Sequence, residues 1–325
     1  MDVTHSYNSF TSNEDEHLYT EWKDIQKTTF TNWCNTILAC HNVVIQDLYK
    51  DFCDGVLLIK LYETISGKKI DKIIKIPKIF THKLENISLV MKEMNNDGVK
   101  FVNIDPLDIG NGNPKLILAL IWHMILYYHI GIFQSINENA SCNSSYTKST
   151  LKQQNKSSSD SIEKKDVLTV HSITPKILLL KLINSLLPEL RISNLTTDWN
   201  SGKLLAALVE KLSPGSCSSY QSWNEKNSLL NVTTALCLAE VHLGIPVLIE
   251  PHHMAAKNID ELSMITYLSS FIRDGGVVEK YFVTTLIEKF PSLNCIISNM
   301  TSDWNNGIAL CKLVQACNQN ALLNG

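Results

Sequence analysis

The run Ile192-Ser193-Asn194-Leu195-Thr196-Thr197-Asp198-Trp199-Asn200-Ser201-Gly202 returns as Ile297-Ser298-Asn299-Met300-Thr301-Ser302-Asp303-Trp304-Asn305-Asn306-Gly307, with eight of eleven positions identical. Asp198 and Asp303 lie 105 positions apart (303 − 198), a domain-sized period that makes this a chain of repeated units. A weaker copy stands upstream at Asp51-Phe52-Cys53-Asp54-Gly55, and each copy runs on into leucines three and six residues past its glycine: Leu58 and Leu61, Leu205 and Leu208, Leu310 and Leu313. That spacing keeps both leucines on one face of a helix, so each copy of Asp, aromatic, two residues, Gly continues into an amphipathic helix.

The first two copies are 147 positions apart (198 − 51), and an insertion accounts for most of the excess. Residues 134–172 are rich in Ser, Asn, Lys and Gln, too polar to offset the cost of ordering, and read as a flexible linker. The sequons at Asn143 and Asn155 fall in this stretch and read as chance matches. Elsewhere the periodicity predicts helices over 21–40, 52–66, 83–96 and 113–128 in the first unit, with 98–104 extended. It predicts 175–187, 199–211, 228–243 and 260–273 in the second. Beyond residue 277 only two helices are expected, 277–290 and 304–318. They are half a unit whose apolar residues Leu286, Ile287, Phe290, Leu310 and Leu313 lack a partner of their own, so the chain reads as a piece of a longer one. The fold class is all-α, with about four main helices per domain. The layout is a disordered tail 1–20, a first domain 21–133, the linker, a second domain 173–273 and an incomplete third unit 277–325.

The 325 residues are 44% hydrophobic and 19% charged, an ordinary globular balance. Twenty-nine basic against 32 acidic residues give a net charge of −3, which removes the global positive field of a nucleic-acid binder, so any basic site is local. Nine scattered cysteines, an odd number, point to buried thiols in a reducing cytoplasm. The acidic N-terminus, with Glu14, Asp15 and Glu16, is no signal peptide. Residues 116–133 are apolar enough to raise a membrane span, but His123, His129 and Gly131 interrupt them, and a buried core helix reads the same way; no transmembrane span is expected.

The segment Trp22-Lys23-Asp24-Ile25-Gln26-Lys27-Thr28-Thr29-Phe30-Thr31-Asn32-Trp33-Cys34-Asn35 resembles the opening helix of the first calponin-homology domain in tandem actin-binding modules. Its companions follow in order: Asp51 to Gly55, His82-Lys83-Leu84-Glu85-Asn86, Gly98 to Ile104, and Lys115 to Trp122. The second unit is similar to the second domain of that module through Thr174-Pro175-Lys176, Asp198-Trp199, Pro214-Gly215, Trp223, Leu243-Gly244-Ile245-Pro246 and Asp260-Glu261, and 192–223 looks most like filamin. The resemblance implies a non-catalytic protein of the cytoplasmic actin cytoskeleton, a cross-linker or scaffold binding filamentous actin and needing no cofactor or metal. The third, incomplete calponin-homology unit departs from ordinary filamins.

The resemblance implies actin contacts in three places: the opening helix (Gln26, Lys27, Thr28, Thr29, Phe30, Trp33), the lysine run (Lys68, Lys69, Lys72, Lys75, Lys78), and the later helix (Lys115, Leu116, Leu118, Ala119, Trp122). Helical spacing gives Trp33, Phe52, Leu61, Trp199 and Leu208 a core reading as well. Leu116, Leu120, Trp122, Ile125 and Leu126 surround their helix axis, which one small domain cannot cover. Either the second domain or a partner covers the rest. The run from Lys68 to Lys83 sets six lysines against Asp71 alone, and a solvated loop, an acidic actin surface and an acidic phosphoinositide headgroup all suit it. The filamin match further implies that the second domain masks the first, with Glu261 lying against Trp122 and a nearby lysine.

Enzyme patterns fail individually. Lys115 occupies the third glycine position after Gly110-Asn111-Gly112, and no Walker loop, zincin pair, Cys-x-x-Cys or Gly-x-Ser-x-Gly occurs. His252-His253 lacks a further ligand at metal spacing and reads as surface. The same fold class also suits a microtubule-binding or signalling adaptor, and residues 116–133 a membrane-associated protein, so these remain the rival readings.

Overall fold

The computed structural model describes residues 12–130, 175–273, 275–293 and 295–323, and the expected linker lies outside them. The described residues are helical, with no strand, and the two complete units share one continuous apolar core. In the first unit α1 (Ser12–Leu38) is followed by α2 (Leu48–Asp51), α3 (Val56–Ser66), α4 (Phe80–Asn96), α5 (Pro106–Gly110) and α6 (Pro114–Met124). The second has α7 (Pro175–Leu186), α8 (Lys203–Leu212), α9 (Ser228–Leu243), α10 (Pro251–Met254) and α11 (Glu261–Ile272). Then come α12 (Val277–Lys289) and α13 (Ile308–Leu323).

The repeated motif proves to be a turn and not the helix start that the sequence suggested. In the three copies one carboxylate oxygen, of Asp51, Asp198 or Asp303, accepts two successive backbone N–H groups: those of Gln46 and Asp47 at 2.7 and 3.0 Å, of Ser193 and Asn194 at 2.7 and 3.1 Å, and of Ser298 and Asn299 at 2.7 and 3.2 Å. The tryptophans close the same turn, Trp199 Nε1 donating to the Asn194 carbonyl at 3.2 Å and Trp304 Nε1 to that of Asn299 at 3.1 Å. Gly55, Gly202 and Gly307 then take φ of 76°, 75° and 74°, a left-handed conformation open to glycine, and the helix begins one residue later. Hence α3, α8 and α13 start at Val56, Lys203 and Ile308, about four residues after the predicted 52, 199 and 304.

The glycine also lets a neighbouring helix come close. A Cβ on Gly55 would sit 2.6 Å from Asn86 Cβ, and one on Gly202 would sit 2.6 Å from the Val232 nitrogen. Across this contact α4 covers α3 and α9 covers α8. Asn86 Nδ2 donates to the Asp54 and Ile74 carbonyls at 3.1 and 2.9 Å, and Asn231 Nδ2 to those of Ser201 and Asn224 at 3.0 and 2.9 Å. A side-chain amide thus satisfies carbonyls that the turn leaves without helical partners.

Several expectations are corrected. α1 starts at Ser12, inside the segment expected to be a disordered tail. α4 starts at Phe80, three residues early. The predicted 113–128 helix stops at Met124 and continues as a single wider π turn, Ile125–His129. Residues 98–104 are irregular, because Gly98 and Asn103 both take positive φ. No helix among the described residues is long and apolar enough to cross a membrane. α6 has 11 residues, roughly 16 Å at 1.5 Å per residue against a hydrocarbon core of about 30 Å. The eight described cysteines are free.

Candidate functional site

α1 turns one face to the core, burying Ile25, Phe30, Trp33, Cys34 and Leu38 at helical spacing, and packs on α3, α6 and α11. Of the opening-helix candidates, Thr29, Phe30 and Trp33 are fully buried and Gln26 nearly so, whereas Lys27 and Thr28 are half-buried. Phe30 stacks parallel to Trp122 with ring centroids 6.2 Å apart, the contact that fixes α6 against α1. Lys27 lies 2.9 Å from Asp47 and over the Tyr49 ring at 4.5 Å. This lysine holds the Asp47 carboxyl below its ordinary value.

On α6 the inward residues are Ile117, Leu118, Leu120, Ile121 and Met124. Leu118 is therefore core. Lys115 is exposed, and Leu116, Ala119 and Trp122 follow at three-residue intervals as a half-buried apolar stripe that packs partly against the core, Trp122 through Phe30. A helix that buries five of its residues in its own domain still presents a partly exposed apolar edge, flanked by a lysine.

The lysine run divides in two. Lys68 pairs with Asp97, and Lys69 with Glu63 at 3.1 Å. Asp97 is a hub that also accepts from Tyr62 at 3.0 Å and Tyr128 at 2.5 Å. Burial alone would raise its carboxyl, but donation from Lys68, Tyr128 and Tyr62 outweighs that and holds it below the ordinary range. Lys72, Lys75 and Lys78 are exposed and make no ion pair among the described residues. Their loop is pinned by Asn86, which exchanges two hydrogen bonds with the backbone of Ile74 at 3.0 and 2.9 Å. Between these lysines Ile76 is 75% exposed, and Ile79 and Phe80 follow at 55% and 43%. Sequence reasoning noted the charge and passed over these apolar side chains, although a Lys-x-x-Lys-Ile-Pro-Lys-Ile-Phe pattern with no helical period carries the signal.

The two units meet along α1 and α11. Gln26 Nε2 donates to Asp260 Oδ1 at 2.9 Å, and Asn32 Nδ2 to the Leu248 carbonyl at 3.1 Å. Burial raises the Asp260 carboxyl, against the hydrogen bonds from Gln26 and from Ser263. The expected role of Glu261 goes to its neighbour, for Glu261 pairs with Lys176 of α7, inside its own unit, while Trp122 is engaged by Phe30. The reason is local: Asp260 is the N-cap of α11, held in place by Ser263, and points at α1, whereas Glu261 begins the helix and faces α7. At the end of the first unit His129 meets the Trp33 ring edge-on at 5.9 Å, and burial, aided by Arg273, pushes it down to about 4. The rings of His252 and His253 lie 4.0 Å apart in α10 with planes tilted by 50°, and among the described residues no group of His, Cys, Asp and Glu gathers as a metal site.

The matching family model is the calponin homology (CH) domain, over residues 24–130 and 174–275. Filamin-A of Drosophila melanogaster is 38% identical over 251 residues, covering 77% of this chain and 10% of that protein. Filamin-C of Rattus norvegicus is 36% identical over the same share, covering 8% of its length, and interaptin of Dictyostelium discoideum is 36% identical over 255 residues, covering 13%. The chain thus spans about a tenth of the length of these three relatives. Among solved structures, the actin-crosslinking core of Schizosaccharomyces pombe fimbrin is similar in fold, with a TM-score of 0.52 at 17% identity over 76% of this chain and 48% of that one. With two units of one helical plan, each built on the same Asp and Gly turn and each matched by the same family, the chain belongs to the calponin-homology domain family.

Proposed function

We propose that this chain binds filamentous actin non-covalently through its first calponin-homology unit, as part of a cytoplasmic cytoskeletal cross-linker or scaffold of filamin type. The observation that carries the reading is the surface of that unit, where Lys72, Lys75 and Lys78 stand exposed and uncommitted and α6 offers the Lys115, Leu116, Ala119, Trp122 stripe. Charge steers an acidic filament, and the apolar stripe supplies desolvated contact. Lys27 and Thr28 are half-buried on α1, and Lys68 and Lys69 are exposed but paired with Asp97 and Glu63. Thr29, Phe30, Trp33 and Leu118 support this surface from within, and Gln26 is engaged by the second unit. Kinship with filamins and interaptin, and a fold shared with an actin-crosslinking core, support the same assignment.

The test is high-speed co-sedimentation of the full chain with filamentous actin over a salt series. Pelleting that weakens as salt rises is expected, since screening acts on exposed lysines. Folded protein that stays in the supernatant at low salt, or that pellets with microtubules instead, overturns the reading. One observation favours a second ligand at the same place: apolar Ile76, Ile79 and Phe80 among the lysines suit the headgroup boundary of an anionic membrane, phosphoinositides included. Flotation with phosphoinositide vesicles, compared with neutral ones, checks it.

A further inference from the structure

α4 and α9 occupy the same place in their units, and their residues correspond from Asn86 and Asn231 onward. α4 buries Asn86, Ile87, Val90, Met91 and Met94, and α9 buries Asn231, Val232, Ala235, Leu236 and Ala239 at identical intervals. On the opposite face the two helices diverge. α4 turns Glu85, Ser88, Lys92 and Asn96 to solvent, the polar surface expected of a covering helix. At the same positions α9 carries Leu230, Thr233, Cys237 and Val241, all exposed, with Leu230 at 65% and Val241 at 69%. Leu229, 52% exposed, widens the stripe at its start. Thr233 and Thr234 donate their hydroxyls to the Leu229 and Leu230 carbonyls at 2.7 and 2.8 Å, one turn back along the helix, so neither hydroxyl proton needs an acceptor from outside. The second unit is complete, with a counterpart to each main helix of the first, and the first shows that this plan leaves the outer face of the helix to water. The fold therefore does not require an apolar stripe here.

The flanks of the stripe define what fits it. Lys226, exposed in the turn ahead of α9, and Glu240, exposed in its last turn, make no ion pair among the described residues. The surface is thus apolar along its middle, basic at one end and acidic at the other, and it matches itself when turned end for end. Laid antiparallel, with Leu230 of each helix on Val241 of the other, it sets Thr234 opposite Cys237, brings each Lys226 toward the other copy's Glu240, and opposes the two helix dipoles. An anionic membrane or an acidic filament fits poorly, because Glu240 lies on the flank and no lysine lies within the stripe. We infer that α9 is a self-association surface, through which two copies of this chain pair about a two-fold axis, helix against antiparallel helix. One helix face per copy stands at the low end of interface sizes, so the dimer is weak and concentration-dependent. The pairing stands on α9 alone. Its consequence, a particle with two first units able to join two filaments, rests on the proposed function.

Sedimentation equilibrium of the full chain, from micromolar to near-millimolar concentration, is expected to show a reversible monomer–dimer equilibrium. Leu230→Glu and Val241→Glu each place a carboxylate in the desolvated contact and should raise the dissociation constant about tenfold or more. Both side chains are more than half exposed, so melting temperature should hold, and circular dichroism verifies that the variants are folded. A short bismaleimide reads the register. In the antiparallel pair the two Cys237 residues come within about 5 Å of each other along the helix axis, three residues at 1.5 Å each, so a cross-linked dimer should form and should vanish in Cys237→Ser. A chain that stays monomeric throughout overturns the proposal. So does a dimer that Leu230→Glu leaves intact, since it uses another face, and so does a dimer that gives no cross-link at Cys237. A monomer that floats with neutral vesicles until Leu230→Glu releases it overturns the proposal in favour of a membrane. With filamentous actin, the parent chain should pellet bundles at low speed where Leu230→Glu pellets only at high speed. Loss of high-speed pelleting from both would count against the proposed function and leave the pairing standing.

Discussion

His129 ties the chain's stability to pH in a range where carboxylates contribute little. It lies at the end of the first unit edge-on to Trp33, and burial, with the charge of Arg273 just past α11 acting the same way, lowers its pKa from 6.5 to about 4. The native state therefore disfavours the imidazolium, while the unfolded chain accepts the proton near 6.5. Stability is fully present above that value and is lost as pH falls from 6.5 toward 4. The full shift is about 2.5 units, worth about 3 kcal/mol at 1.36 kcal/mol per unit, and about 2 kcal/mol of it is gone by pH 5. Urea unfolding followed by tryptophan fluorescence at pH 7, 6 and 5 measures the loss. His129→Phe keeps an aromatic ring against Trp33 and cannot titrate, so its stability should stay nearly level over the same interval. Equal slopes for the two proteins would refute the reasoning, because the pH dependence would then arise elsewhere.

Reversing Lys72, Lys75 and Lys78 to Glu should weaken co-sedimentation with filamentous actin several-fold and leave the melting temperature within a few degrees, since none of the three is paired; unchanged affinity would return the loop to plain solvation. Gln26→Ala removes a donor from the buried Asp260 carboxylate, a loss of about 1.5–3 kcal/mol that should extend the particle in scattering. Glu261→Lys disturbs a partly exposed pair with Lys176, costs under about 1 kcal/mol and should leave the particle compact; the opposite order would place the latch at Glu261 after all. Gly202→Ala should be far more disruptive than Gly307→Ala. Both put Ala at positive φ, about 1–2 kcal/mol, but the first also drives a Cβ to within 2.6 Å of the α9 backbone, and equal melting temperatures would contradict the close approach.

The repeat, the helical class and the family were legible in the residues themselves, because each rests on local chemistry. An aspartate that gathers two backbone N–H groups, a glycine that turns left-handed and leucines spaced to one face act within about a dozen positions, and the same residues report them wherever they recur. Helix starts were misread by about four residues at α3, α8 and α13 for a related reason: an aromatic residue and a following apolar period look helical, although the turn holds them outside the helix. The site was legible as a set of candidates and not as a surface. The resemblance marked Phe30, Trp33, Leu116, Leu118 and Trp122 equally, and only packing separated the buried residues Phe30, Trp33 and Leu118 from the half-buried stripe Leu116, Ala119 and Trp122. Charge marked the five candidate lysines alike, but Asp97 and Glu63, distant in sequence or across a turn, occupy Lys68 and Lys69 and leave Lys72, Lys75 and Lys78. Asp260 bonding Gln26, 234 positions away, was invisible for the same reason. Sequence determines what a residue does to its near neighbours along the chain. Which residues stay free to meet a partner depends on contacts between segments far apart, and only the folded arrangement of α1, α6 and α11 decides that.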